Sequence, residues 1–345
     1  MNSADSSFYI LALSPDSDGG IHQFRLDDAG HPVPLSFAPL PGASWLIFTP
    51  DRRFAYSTCH IDADANAGVA VFHVDAESGA LAELQRVSSH GKSACHLALS
   101  PDGQRLFCAN YTTGSAAEFH VRPDGTLSEV VRLDQHTGSG PDATRQQGPH
   151  VHFTAIDPTR KYLILCDLGL DSLHACPLDG GPEIVTRIEP LGGGPRHLVF
   201  SDAGDQAYLL TEMGSVIHHL AYRDGHFTPI AQYPALAPDF RGRSWAAAIR
   251  FTPDHRFLFV TNRGESTVAL FRILPDGALA FHQRIPTGAD YPRDANFLPG
   301  GAYFATANQN GSEVHFFTWR DSRLAPAGYS LPLPHPVQIT SRDFP

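Results

Sequence analysis

Apolar residues fall in short runs along this chain, and within each run apolar and polar positions alternate with period two, the signature of half-buried β-strands. One unit recurs: an apolar residue, a Pro-Asp or Asp-Ala turn, a second apolar strand, then Asn or Asp. It reads IFTPDRRFAYSTC near Pro50, LALSPDGQRLFCAN near Pro101 and TAIDPTRKYLILCD near Pro158. It returns as LVFSDAGDQAYLLTE near Asp202, IRFTPDHRFLFVTN near Pro253 and ANFLPGGAYFATAN near Pro299. Copies lie about 44 to 57 residues apart, the period of a propeller blade. A third apolar run follows the pair, as in GVAVFHV, STVALFRI and SEVHFFTW, and a less regular fourth segment completes a four-stranded unit.

The apolar position before each turn is Phe48, Leu99, Ile156, Phe200, Phe251 and Phe297, a column expected to fill the contacts between blades. Six internal copies leave both ends over. FYILALS and GIHQFRL at the start read as the second and third strands of a blade that lacks its first, and PVQITSRDF at the end is a lone strand. Joining them gives a seventh blade and closes the ring, which removes the open sheet edges. The expectation is an all-β, seven-bladed β-propeller, one domain over residues 1–345, in which loss of the last ten residues destabilises the whole. No amphipathic helix of useful length and no interdomain linker interrupts the pattern.

Composition narrows the function classes. Apolar residues form 42% of the 345 positions, enough for a large core. The net charge is -11 with no basic stripe, which argues against nucleic acid as a partner. The five cysteines are scattered without a CxxC pair, so neither a zinc cage nor a disulfide framework is expected. The start of the chain carries Asp5 and no basic, apolar leader, and no run approaches the roughly 18 apolar residues of a membrane helix. A cytoplasmic protein with no membrane partner follows, a monomer or weak homodimer.

Aligning the copies shows where chemistry could gather. First strands of propeller blades line the central channel, so equivalent positions form rings. Six residues before the turn stand Ser44, Cys95, His152, Arg196, Ala247 and Arg293. A purely structural ring would be small or apolar, whereas His152, Arg196 and Arg293 direct an imidazole and two guanidiniums at one space. The second strands run back to the same mouth and end at Asn110, Asp167, Thr211, Asn262 and Asn308, followed by Tyr111, Leu168, Glu212, Arg263 and Gln309. Glu212 and Arg263 thereby flank the ring, as a reactive pair or as an ordinary ion pair between blades. The recurring Asn and Asp residues suit backbone bonding at strand ends. Asp167 and Tyr111 also stand where a substrate could be met. His150 shares the face of His152, two positions nearer the mouth, while strict alternation turns His197 away from the channel.

GPHVHFTAIDPTRKYLILCDLGLD, GPRHLVFSDAGDQAYLLTE, IRFTPDHRFLFVTNRG and YPRDANFLPGGAYFATANQ together resemble the propeller lactonases, the family of bacterial 6-phosphogluconolactonase and fungal 3-carboxymuconate lactonising enzyme. The resemblance covers nearly the whole chain. It implies hydrolysis of a small-molecule lactone at a site that uses neither metal nor cofactor. It assigns His152, Arg196, Glu212 and Arg263 to catalysis, with Arg293 and Asp294 close by; His150, Tyr111 and Asp167 are expected, with Arg293 and Asp294, to bind substrate. Two departures stand out. Cys59 and His60 replace a common Asn-Glu, and the usual HPH is HVH here. A lactonising isomerase, a metal-dependent lactonase and a non-enzymatic binding propeller are the rival readings. The last lacks support from Gly-His or Trp-Asp repeat signatures.

Overall fold

The computed structural model describes residues 7–14, 19–62 and 66–342; Asp5 and the last two residues of the C-terminal run, Asp343 and Phe344, lie outside them. Seven four-stranded antiparallel sheets make up the described chain, with no helix among these residues and hence none long and apolar enough to cross a membrane. Six blades are continuous in sequence and begin at the strands Leu46–Phe48, Ala94–Leu99, Val151–Ile156, Pro195–Phe200, Ala246–Phe251 and Pro292–Phe297. They are called blades 1 to 6 below.

Blade 7 closes the ring with both ends of the chain. Its innermost strand is Pro336–Ser341, which pairs with Ser7–Ala12 in the register Ile10 to Ile339. The strands Gly20–Leu26 and Pro32–Pro39 complete it. The Gln338 amide fastens this blade to blade 1, accepting from Leu46 N at 2.6 Å and donating to Leu46 O at 3.3 Å.

The apolar column predicted at the turns lies between blades. Seven core clusters form, one at each junction of neighbouring sheets, and each of Phe48, Leu99, Ile156, Phe200, Phe251 and Phe297 belongs to or packs on a different one. The remaining junction, between blades 6 and 7, is built on Phe8, Ile10, Phe316 and Ile339. Tyrosines on second strands reinforce the pattern, since Tyr9, Tyr56 and Tyr208 donate to Gly79, Gly125 and Gly277 carbonyls of the next blade. Two residues after the turn proline the backbone is left-handed, with φ of 59° at Arg52, 71° at Gly103 and 52° at His255. Glycine meets that demand without steric cost, and the others adopt a conformation rare for residues bearing a Cβ.

The innermost strands are not regular. Pairing slips by one residue at Cys95, His152, Arg196, Arg293 and Val337, and again where Ala247 and Ala248 lie opposite Thr261 alone. These are β-bulges, which re-aim side chains beside the extra residue. They recur at the ring position that the repeats single out, and Val337 supplies the seventh member.

Candidate active site

At the mouth where the bulges sit, a cavity of about 510 Å³ opens over the channel. Cys95, His152 and Arg293 reach it from the ring, Tyr111, Glu212, Arg263 and Gln309 from the ends of second strands, and Arg145, Tyr291 and His60 from loops and rim. Of the groups expected from separate blades, His152, Glu212, Arg263 and Arg293 line it, while Arg196 lies at the constriction beneath.

Glu212 is the centre of the charge array. Its Oε2 lies 2.7 Å from Arg263 Nη2 and accepts from Arg196 Nε at 3.1 Å, while Oε1 accepts from Arg145 Nη2 at 2.6 Å. The carboxylate is 2% exposed, yet the surrounding arginine charges outweigh burial and hold it well below the usual carboxylate range. Arg263 is further fixed by Trp245 and Ala246 carbonyls and lies over the Tyr291 ring. Arg196 donates from Nη1 to the Ala247 carbonyl. Burial and repulsion from Arg263 push Arg196 down to about 9, which leaves it charged at neutral pH.

Arg293 differs from the other three arginines. No acceptor among the described residues lies within hydrogen-bond or ion-pair distance of its guanidinium, and it faces both the cavity and the constriction below. Four guanidiniums and one carboxylate leave three positive charges uncompensated. A concave site of that charge calls for an anionic ligand.

His152 stands beside this array, buried, with Nδ1 lacking any partner. Burial, and then the Arg196 charge, push its imidazole well below the ordinary value, so it is the neutral free base at pH 7. Tyr111 meets its edge at 5.6 Å between ring centres, and its hydroxyl accepts from Arg145 Nη2 at 3.1 Å.

Beneath the mouth the channel is plugged. Trp45, His96, Phe153 and His197 touch across it, with ring centres 4.1 Å apart for Trp45 and His96 and 5.5 Å for Trp45 and His197. His197 thus lines the channel, contrary to the expectation from strict alternation. The bulge at Arg196 puts two consecutive side chains on one side of the strand.

Three further placements correct the sequence reading. Asp167 does not reach the cavity: Oδ1 accepts from His150 N and Leu170 N, and Oδ2 lies 2.6 Å from His136 Nδ1. It serves the strand end, as do Asn110 and Asn262, which donate to Ser89 and Ala235 carbonyls. His150 lies behind Tyr111, stacked on it at 4.5 Å, and supports the wall rather than forming it. Asp294 sits one step below Arg293 at the constriction, accepting from Arg250 Nη1 at 2.6 Å and Ile339 N at 2.9 Å.

Arg145 and Tyr291 escaped the repeat alignment. Arg145 belongs to the segment between blades 2 and 3, where the copy spacing of 57 residues is widest. An unusually long insertion at one mouth was the available signal. At the altered pair Cys59–His60, Cys59 packs in the core and its thiol is pushed up to about 12 by burial, while His60 lines the cavity.

The protein is thus a seven-bladed propeller with an arginine-lined pocket at one end of its channel. Residues 7–341 match the family described as Lactonase, 7-bladed beta-propeller, and the chain belongs to it. It is 32% identical to the 6-phosphogluconolactonase of Bacillus subtilis over 94% of this chain and 96% of that one. The solved periplasmic gluconolactonase PpgL of Pseudomonas aeruginosa superposes with a TM-score of 0.90 at 29% identity, covering 96% of this chain and 98% of the other. A Bacteroides fragilis structure matches with a TM-score of 0.87 at 28% identity, over 99% of both chains.

Proposed function

We propose that this chain hydrolyses a lactone, and more narrowly a sugar lactone of the 6-phosphogluconolactone or aldonolactone type, to the corresponding acid. The observation that carries the reading is a neutral, buried His152 beside three arginines that line the cavity, one of which has no partner among the described residues, with Arg196 at the constriction below. The names of the similar Bacillus and Pseudomonas proteins support the same class of reaction.

In this reading a water attacks the lactone carbonyl carbon as His152 takes its proton. Arg196 and Arg263 face the oxyanion that develops, an electrostatic contribution of about 3 kcal/mol per donor. The ring C–O bond then breaks and the leaving alkoxide recovers the proton from the His152 imidazolium, which the Glu212 charge stabilises. Arg293 holds a carboxylate or phosphate of the substrate, where a guanidinium fork favours bidentate contact. No metal is needed, since the arginines supply the positive charge. We place the reaction in the cytoplasm, in keeping with five cysteines that are all free thiols.

Purified protein assayed with plain and phosphorylated sugar lactones in chelator, after subtraction of spontaneous opening, tests this. His152→Ala is expected to lower turnover by about two to four orders of magnitude. Hydrolysis no faster than the spontaneous reaction, or full turnover in a folded His152→Ala variant, would overturn it.

A further inference from the structure

The channel has a second mouth, at the turn ends of the innermost strands, and it is built differently. A cavity of about 710 Å³ opens there, beyond the plug and away from the reactive groups. Three residues before the turn stand Ile47, Ala98, Ala155, Val199 and Arg250 in blades 1 to 5, and all five line it. The ring that carries charge at the reactive mouth thus gives way, three residues on, to an apolar arc of four blades with one guanidinium at its end. Ile47, Ala98, Ala155 and Val199 are each only part-buried, so the arc faces open space.

The plug is the floor of this cavity, which Trp45, His96, Phe153 and His197 line as well. Burial first, and then arginine charge, holds both imidazoles well below their ordinary value, so the floor is uncharged at neutral pH. Arg250 stands beside it, with the guanidinium carbon 5.6 Å from the centre of the Trp45 ring. Its Nη1 donates to Asp294 Oδ1 and the Ala295 carbonyl, while Nε and Nη2 have no acceptor among the described residues. The side chain is 14% exposed and neither nitrogen is sealed off, so this edge of the guanidinium is open to a ligand. Arg52 and Arg342 also belong to the lining, and among the described residues no aspartate or glutamate does. Pockets for small molecules, typically about 300–1,000 Å³, combine apolar walls with a few placed polar groups in this way.

We propose that this far mouth binds a small planar aromatic carboxylate, its ring between the aromatic floor and the apolar arc and its carboxylate on Arg250. Nε and Nη2 share one edge of the guanidinium, the edge that takes a carboxylate through two parallel N–H bonds. An uncharged floor of aromatic rings receives a flat apolar body by stacking or edge contact, and covering the arc removes apolar surface from water. A sugar lactone, polar on every side, does not match that arc, so the far mouth is no second copy of the reactive one. The site stands apart from the lactone reading, and neither depends on the other.

The test is calorimetric titration of the full chain with 2-naphthoate and with its neutral counterpart 2-naphthamide. The arginines of the reactive mouth could also take an acid, so Arg293→Gln is titrated beside the wild type. One naphthoate per chain is expected to bind Arg293→Gln as it binds the wild type, about ten-fold or more tighter than the amide. Arg250→Gln should erase that preference. Ala98→Trp fills the arc from a part-exposed position and should weaken both compounds about ten-fold or more, which keeps the site testable should Arg250→Gln fold poorly. No binding to the wild type, loss of binding in Arg293→Gln, equal affinity for acid and amide, or undiminished binding in a folded Ala98→Trp chain would each overturn the site.

Discussion

Arg196 Nη1 stands 3.1 Å from Nε2 of His197, its neighbour in sequence, and both side chains occupy the channel. A regular strand would send them to opposite faces. The bulge aims both inward, and burial with the Arg196 charge pushes His197 well below its ordinary value, so its ring is neutral and offers a lone pair to the guanidinium. His197 is therefore a positioning residue for Arg196. His197→Ala is expected to lower kcat about ten-fold with little change in KM, and His197→Gln, which keeps an acceptor, to recover most of it. Equal kcat in all three proteins would remove this role.

Closure of the ring gives a stability prediction at Gln338. Its amide is 2% exposed and bonds both backbone groups of Leu46, joining chain positions 292 residues apart. Gln338→Ala leaves a buried N–H and C=O without partners, a cost of about 1–3 kcal/mol for each group left unmet. Denaturant unfolding should show a lower midpoint with an unchanged slope. Removal of everything after His335 takes away the inner strand of blade 7 and should abolish the cooperative transition. A truncated chain that unfolds at the wild-type midpoint would refute closure by Pro336–Ser341.

Glu212→Gln tests the charge array. The carboxylate answers Arg145, Arg196 and Arg263 together, and the amide keeps its shape but removes the only counter-charge among them. Breaking a buried ion pair on one side typically costs about 3–5 kcal/mol. The variant should melt well below the wild type, and chloride or phosphate should restore part of the loss by filling the arginine cluster. Equal anion effects on both proteins would show that the arginines do not depend on Glu212 in this way.

What the sequence disclosed follows from what repeats. The apolar column and the ring position recur in every internal copy, so blades, ring and the meeting of His152, Arg196, Glu212 and Arg263 could be read by alignment alone. Val337 was missed because the last strand stops before its turn. His197 was misplaced because a bulge breaks the period-two rule without leaving a mark in one sequence. Arg145 lies in the longest of the segments that join one blade to the next, where the copies do not align. Asp167 shows the converse: its position recurs because strand ends need an acceptor, and recurrence there signals structure rather than chemistry.

The buried histidines set the dependence on pH. His96, His152 and His197 all lie well below 6.5 in the folded protein, chiefly through burial and then through nearby arginine charge. The unfolded chain takes up protons at these positions as pH falls through about 6.5, and the folded chain does not. Their effect is therefore absent above that pH, and stability is lost below it. Each contributes a slope of at most about 1.4 kcal/mol per pH unit. Glu212 acts in the same direction at lower pH, since its depressed value adds stability that is lost as pH falls through and below the ordinary carboxylate range. Between pH 6.5 and 5 the unfolding free energy should thus fall steeply, and His197→Gln should flatten the curve by about 1.4 kcal/mol per unit. Turnover should behave differently over the same window. With an unphosphorylated lactone, chosen so that no phosphate titrates, wild-type kcat/KM should show no acid limb near 6.5, because His152 remains the free base there. A limb centred at 6.5 would mean that the base is solvated and ordinary, and would exclude buried His152 from that role.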